Sequence, residues 1–447
     1  MLMATQLKRS LGLFETTFYG VGVVLGAGVY VLIGKAAGLA GNSLWAAFAI
    51  GAFIATFTGL SYAELSSMFQ KASGEHYYAQ KAFNNHIAFL VGWLIVIGGI
   101  IASATVALGF AGYFNALFNT PIILTAIASI LILTIINFWG IKEATWFGII
   151  ATIIELVGLL IIIALGFTFF GDVNILELPP TGFRGLISGA ALIFFAFLGF
   201  EGVVRLSEET KNPKKVIPKA LILSIIITTI IYILVAISAV SVLGWERLAM
   251  SNAPLADVAA AAFGSKAFFL LSVMALFATL STVLFTLIST SRMIYGMASD
   301  GALPAICKQV HKATKTPWMA VTIVGLLSVG FILLGDIVKV ASLTDFALFG
   351  TFAIVNLSLI ALRYKDKKIK RGFKSPINVG NFPVLAALGA AASIFMILQF
   401  EYYIILGGIV ITLAGFGIYY LVNFGKTKKI NPKHNYNIHR IHHLKVK

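Results

Sequence analysis

Charge is what this chain has least of. Of its 447 residues only 11% are Asp, Glu, Lys or Arg, against about 25% in an ordinary soluble domain. A chain so poor in charge cannot clothe a globular surface of its size, which excludes a water-soluble protein. Cysteine is almost missing too. Cys307 stands alone, so neither an internal disulfide nor a cysteine-rich metal site can form. No P-loop, HExxH or GxSxG motif occurs, and the apolar stretches hold almost no histidine. There is also no polar block large enough for a soluble domain. These absences remove the usual signatures of membrane enzymes, and no catalytic residue, metal or cofactor is expected. The N-terminal stretch MLMATQLKRSLGLFE lacks a short apolar core followed by small residues, so the first span is expected to remain as an anchor.

What is there instead is apolar sequence: 59% hydrophobic residues and a mean hydropathy of +0.95. Stretches long enough to cross a bilayer lie near 15–38, 43–69, 87–117, 121–139, 145–170, 185–205, 218–243, 264–291, 318–334, 337–362, 382–400 and 402–423. The fold class expected is an all-α membrane protein of twelve transmembrane helices. The last two spans are parted only by Gln399, Phe400 and Glu401, and 246–263 forms a longer connection with helical character around Asp257. With the N-terminus placed inside, 28 of the 33 Lys and Arg fall in connections on that side. That asymmetry predicts cytoplasmic N- and C-termini. It also explains the formal charge of +16 as topology, with no nucleic-acid partner. The tail 424–447 is basic, contains four histidines, and is expected to be drawn to anionic lipid.

Residues 20–34, GVGVVLGAGVYVLIG, carry five glycines inside an apolar span. Glycine costs roughly 1 kcal/mol against alanine within a helix, so a break centred on Gly26, Ala27 and Gly28 is predicted. A second interruption follows in the sixth span, from Leu192 through Gly199 to Gly202. Spans one and six are equivalent if 15–170 and 185–362 are two repeats of five. Five is odd, so the repeats are inverted, and broken helices at matching places mark a midplane transport site. Span pair 382–423 is then an appendage. A single glycine motif would read more simply as close helix packing; two in matching places favour the binding site.

Here the sequence resembles the amino acid–polyamine–organocation (APC) superfamily of permeases. The resemblance rests on Gly26-Ala27-Gly28-Val29-Tyr30; on Tyr62-Ala63-Glu64-Leu65 followed by Gly74-Glu75 and Tyr77-Tyr78; on Phe194 to Glu201 with Glu208 to Pro213 and Ile217-Pro218; and on Arg292, Asp300-Gly301, Leu303-Pro304 and Thr316-Pro317-Trp318. Four pieces in the right order are specific where each alone is not. Gln70 and Ser73 depart from the usual proline and glycine, and His76 from an aromatic. The resemblance implies the LeuT-type five-plus-five inverted repeat with helices one and six broken.

An amino acid at the midplane brings a carboxylate and an ammonium, and both need partners there. The N-terminal end of a half-helix offers N–H groups, which assigns Gly26, Ala27 and Gly28 to the carboxylate. The opposite half-helix ends offer carbonyls, which assigns Val24, Phe195, Ala196 and Leu198 to the ammonium. Phe195 also flanks the break as a possible lid, and Ser103 with Thr105 is placed toward the side-chain pocket. Phe346 and Phe349 are expected to pack. Glu201, at the family's acidic position beyond the second break, and Glu155, deep in span five where several family members carry lysine, are the coupling or gating candidates. Ser281 and Thr282 stand where sodium-coupled relatives place ion ligands, with Gly22 and Leu25 as carbonyl partners. Glu64 and Asp345 are expected to act as gates or helix-end anchors. The function expected is secondary active transport of amino acids across the plasma membrane by alternating access. Proton coupling or exchange is favoured over Na⁺, and neutral substrates over cationic amino acids or polyamines.

Overall fold

The computed structural model describes residues 9–70, 74–139 and 144–427. Ser73 and the basic tail beyond 427 lie outside them, as do Lys71 and Lys142 among the charges used for orientation. The described chain is helical throughout, apart from a two-residue hairpin of β1 (Asn378–Val379) and β2 (Phe382–Pro383). Its helices are α1 (Leu13–Val24), α2 (Gly28–Ala40), α3 (Leu44–Met68), α4 (Gly74–Ala82), α5 (Asn85–Phe118), α6 (Ile122–Trp139), α7 (Ala144–Gly166), α8 (Gly182–Ile193), α9 (Gly202–Arg205), α10 (Pro213–Leu243), α11 (Trp245–Met250), α12 (Pro254–Phe263), α13 (Ser265–Ser299), α14 (Trp318–Ile332), α15 (Ile337–Lys365), α16 (Val384–Ile397) and α17 (Tyr402–Thr427).

Nine stretches among the described residues are long and apolar enough to cross a membrane. One of them, 28–68, contains both α2 and α3. The other expected crossings fall on shorter apolar helices: Leu13–Val24, Trp318–Ile332 and Val384–Ile397. Fifteen residues of helix, the length of α14, span only about 22 Å of a roughly 30 Å hydrocarbon core. α5 is the opposite case, with 34 residues. The connection expected at 246–263 holds two helices, α11 and α12.

The ends are set by local chemistry. The Asn84 side chain accepts the Ile87 N–H at 3.0 Å and starts α5, and Asp336 accepts the Val338 N–H at 2.9 Å and starts α15. Prolines sit in the first turns of α10 and α12, where their missing N–H is harmless.

α5, α15 and the 182–205 stretch are mostly buried, whereas α6 and α17 turn most of their surface outward. α10 packs on α3 and α1, α13 on α5 and α7, α15 on α5 and α16, and α2 on α8. The two interrupted spans therefore lie at the centre, held by long helices around them.

Glu64 is fully buried near the C-terminal end of α3. It accepts from Arg363 Nε at 2.7 Å and Nη2 at 2.5 Å, from Arg371 Nε at 3.0 Å, and from the Ser375 N–H at 2.8 Å. Glu64 thus anchors the segment after α15, as one of its two expected roles required. Asp345 differs from expectation. It lies more than two turns inside α15 and is fully buried, so it anchors no helix end; Asp336 does that. In the connection after α13, burial of Cys307 pushes its thiol up.

Candidate functional site

The first break is three residues wide. Leu25 still donates its N–H to Val21 O at 2.8 Å, and Val31 donates to Ala27 O at 3.0 Å. Between them the helix ladder is interrupted. Among the described residues the Gly26 N–H has no acceptor, whereas the Ala27 N–H donates to Thr282 Oγ1 at 3.1 Å. Ala27 and Gly28 are buried. A freed amide at the start of α2 is the anion-binding end of a half-helix.

The second break is built differently. α8 ends at Ile193, and Phe194–Phe197 tightens into a 3₁₀ turn. Gly199 then takes φ +113°, and α9 resumes for only four residues. A side chain at Gly199 would also meet Val23 O at 2.9 Å, so this position requires glycine for both reasons. Glu201 is half-buried and accepts the Gly199 N–H at 3.0 Å.

The two breaks touch. A Cβ on Gly28 would sit 2.7 Å from Ala196 Cα, so only glycine permits this approach of backbones. Tyr232 of α10 places its hydroxyl 2.5 Å from Val24 O and 2.9 Å from Ala196 O. Both are carbonyls that sequence reasoning assigned to a ligand's ammonium; each retains a lone pair, and Tyr232 already bridges them. Tyr232 was not anticipated. Its signal was present, however: a lone phenol in an isoleucine-rich span needs an acceptor when buried.

α7 and α13 complete the junction. Glu155 is buried, and its Oε1 accepts from Ser281 Oγ at 3.0 Å while its backbone carbonyl accepts from Tyr30 Oη at 2.7 Å. Tyr113 of α5 in turn donates to Tyr30 O at 3.0 Å. Of the four coupling or gating candidates, Glu155, Ser281 and Thr282 are brought together beside the first break, whereas Glu201 stands at the second. Ser103 is buried on α5 and donates to Gly99 O at 2.9 Å, and Thr105 likewise returns to Ile101 O at 3.1 Å. Their hydroxyls are satisfied within their own helix.

Phe195 is buried beside the break. The ring contacts of this segment belong to its neighbours. Phe194 lies 4.5 Å from Phe349, Phe197 lies 5.4 Å from Tyr232, and Phe200 lies 5.9 Å from Tyr62. Such pairs fix ring orientation as well as burying area. Among the described residues no cluster of three or more His, Cys, Asp or Glu is arranged to hold a metal ion.

The arrangement offers freed amides at the first break, two close-packed interrupted backbones, and carboxyl and hydroxyl groups on the flanking helices. The family model described as amino acid permease matches residues 11–437. A branched-chain amino acid permease of Bacillus subtilis is 30% identical over 449 residues, covering 95% of each chain. A methylthioribose transporter of the same organism is 30% identical and covers 85% of this chain and 87% of its own. A vacuolar cationic amino acid transporter of Arabidopsis thaliana is 28% identical, covering 80% of this chain and 64% of its own.

Proposed function

The chain belongs to the amino acid permease family of membrane transporters, and from that premise we propose that it is a secondary active carrier of neutral amino acids. It works at the plasma membrane by alternating access, with both termini cytoplasmic. Twelve crossings form a LeuT-type pair of inverted five-helix repeats followed by two extra helices. The observation that carries the reading is the contact of the two helix breaks, with Gly28 against Ala196 and the Gly26 N–H released from the helix ladder. The substrate carboxylate takes the amides of the Gly26–Gly28 turn. Its ammonium takes carbonyls from Val24, Phe195, Ala196 and Leu198. Ser103 lies toward the side-chain end of the pocket.

Glu155, Ser281, Thr282 and Glu201 link the breaks to α7, α13 and the inner gate, so closure around the substrate is read by these groups. Proton coupling or exchange is favoured over Na⁺. A cationic amino acid or polyamine would need an open carboxylate beside the breaks. Glu201 is already capped by the Gly199 N–H, and Asp345 is closed off from solvent. A relative's name that specifies methylthioribose, which has neither carboxylate nor ammonium, makes the substrate test decisive.

The test is counterflow in proteoliposomes of the purified chain, preloaded with single unlabelled compounds. Neutral amino acids are expected to accelerate uptake of labelled leucine or valine several-fold. No acceleration by any amino acid, with acceleration by methylthioribose or a polyamine, would overturn the assignment.

A further inference from the structure

Asp345 is the one carboxyl of the described residues whose two oxygens are both buried and both without a hydrogen-bond partner. Among the described residues Glu64 has four donors, Glu155 has Ser281 and Glu201 has the Gly199 N–H, while the buried Glu75 of α4 leaves Oε1 alone without a partner. An ionised carboxylate without partners in hydrocarbon-like surroundings is strongly unfavourable, and the group neutralises instead.

No neighbouring cation supplies the missing compensation. α5 carries only His86 near its inner end and Tyr113 near its outer end; α8 carries only Arg184, and α16 and the 194–197 turn carry no ionisable group. α17 contributes tyrosines at 402, 403, 419 and 420 and a lysine at 426; α3 contributes Tyr62 and Glu64. α4 contributes Glu75, His76, Tyr77, Tyr78 and Lys81 toward the inner half of α15. On α15 itself Lys339 pairs with Asp336 at 3.7 Å and Arg363 pairs with Glu64.

Position adds a route to water. Asp345 lies one helical turn from Phe349, on the same face of α15. The Phe349 ring rests 4.5 Å from Phe194, at the start of the second break. Movement of that break away from α15 would open the face on which Asp345 stands.

We propose that Asp345 holds a proton in this closed arrangement and exchanges it with water when the second break parts from α15, which makes it the group through which a proton gradient drives transport. When the face opens to the side of higher proton activity the carboxylate takes a proton from water, and the face closes over the neutral acid. When it next opens to the other side the acid gives that proton to water, leaving a carboxylate that is reprotonated at the following opening to the first side. The proposal deepens the transport reading and rests on it.

Two measurements test it. In proteoliposomes, Asp345→Asn is expected to abolish the stimulation of neutral amino acid uptake by an imposed pH gradient, while counterflow of the same amino acid stays within about twofold of wild type. Retained stimulation in Asp345→Asn, with its loss in Glu155→Gln, would overturn the proposal and move the proton to Glu155. The second measurement needs no variant: infrared spectra of the wild-type chain at pH 7 with and without carboxyl-¹³C aspartate. The chain has six aspartates, and Asp345 alone is fully buried. A protonated-carboxyl band that shifts with the label is expected, and its absence would overturn the proposal. If the wild-type chain moves no amino acid in either assay, the transport reading fails, and the infrared result still decides the state of Asp345.

Discussion

Glu64 and Asp345 are both fully buried carboxyls, on helices that pack against each other. Around Glu64 the chain has gathered two arginines and a backbone amide. Around Asp345 it has gathered nothing. The contrast runs along one helix, because α15 supplies Arg363 near its C-terminal end and Asp345 in its N-terminal half. A buried ion pair is weak evidence of net stability, yet breaking it exposes an uncompensated charge. The C-terminal end of α15 is therefore a fixed joint. Its N-terminal half carries a group whose state, in the proposal, depends on access to water, which suits a segment that moves.

The sharpest way to break the contrast is at the joint. Glu64→Ala leaves Arg363 buried and Arg371 half-buried beside no acid, and a loss of about 3–5 kcal/mol is expected, read as a collapse of the folded fraction in detergent. A variant as stable as wild type would remove the joint from the account. Gly28→Ala puts a methyl group onto the Ala196 backbone, where neither side can yield; about 1–3 kcal/mol is expected, with weaker substrate binding. Unfolding midpoints and equilibrium binding on the same sample check both.

Tyr232→Phe keeps the ring among Phe48 and Phe197 and removes the hydroxyl between the breaks. A loss of about 1–2 kcal/mol is expected, together with slower counterflow. Asp345→Asn replaces one neutral polar group by another of the same shape, so its unfolding midpoint should correspond to a change of less than about 1 kcal/mol. A loss as large as that of Glu64→Ala would show Asp345 ionised and erase the comparison. Lys339→Ala, at a half-exposed surface pair, should change stability by less than about 0.5 kcal/mol and marks the floor of the series.

Much of this was legible in the chain. The first break could be placed at Gly26–Gly28 because glycine is a poor choice within an apolar helix unless the backbone must open or be approached. The grouping of Glu155 with Ser281 and Thr282 also came from sequence, although only the structure gives their hydrogen bond. Tyr232 was missed because nothing local tells which distant carbonyls a phenol will meet. The arginines of the Glu64 joint were read only as charges that orient the chain, since about 300 residues separate them from their partner. Asp345 was placed near the end of a span expected to begin at 337; α15 begins at that same residue, and Asp345 lies more than two turns inside it and fully buried, which no span edge reveals. The second break is shorter on its inner side than the first, because α9 lasts one turn before Leu206, and no periodicity announced that.

Equilibrium binding to the purified chain tests the central assignment most directly, using a labelled neutral amino acid and the amine formed by removing its carboxylate. The account predicts that the amino acid binds, that the amine competes at least tenfold more weakly, and that Gly28→Leu binds neither while still inserting in the membrane. Equal competition by the amine, or unchanged amino acid affinity in Gly28→Leu, would contradict the role given to the Gly26–Gly28 turn.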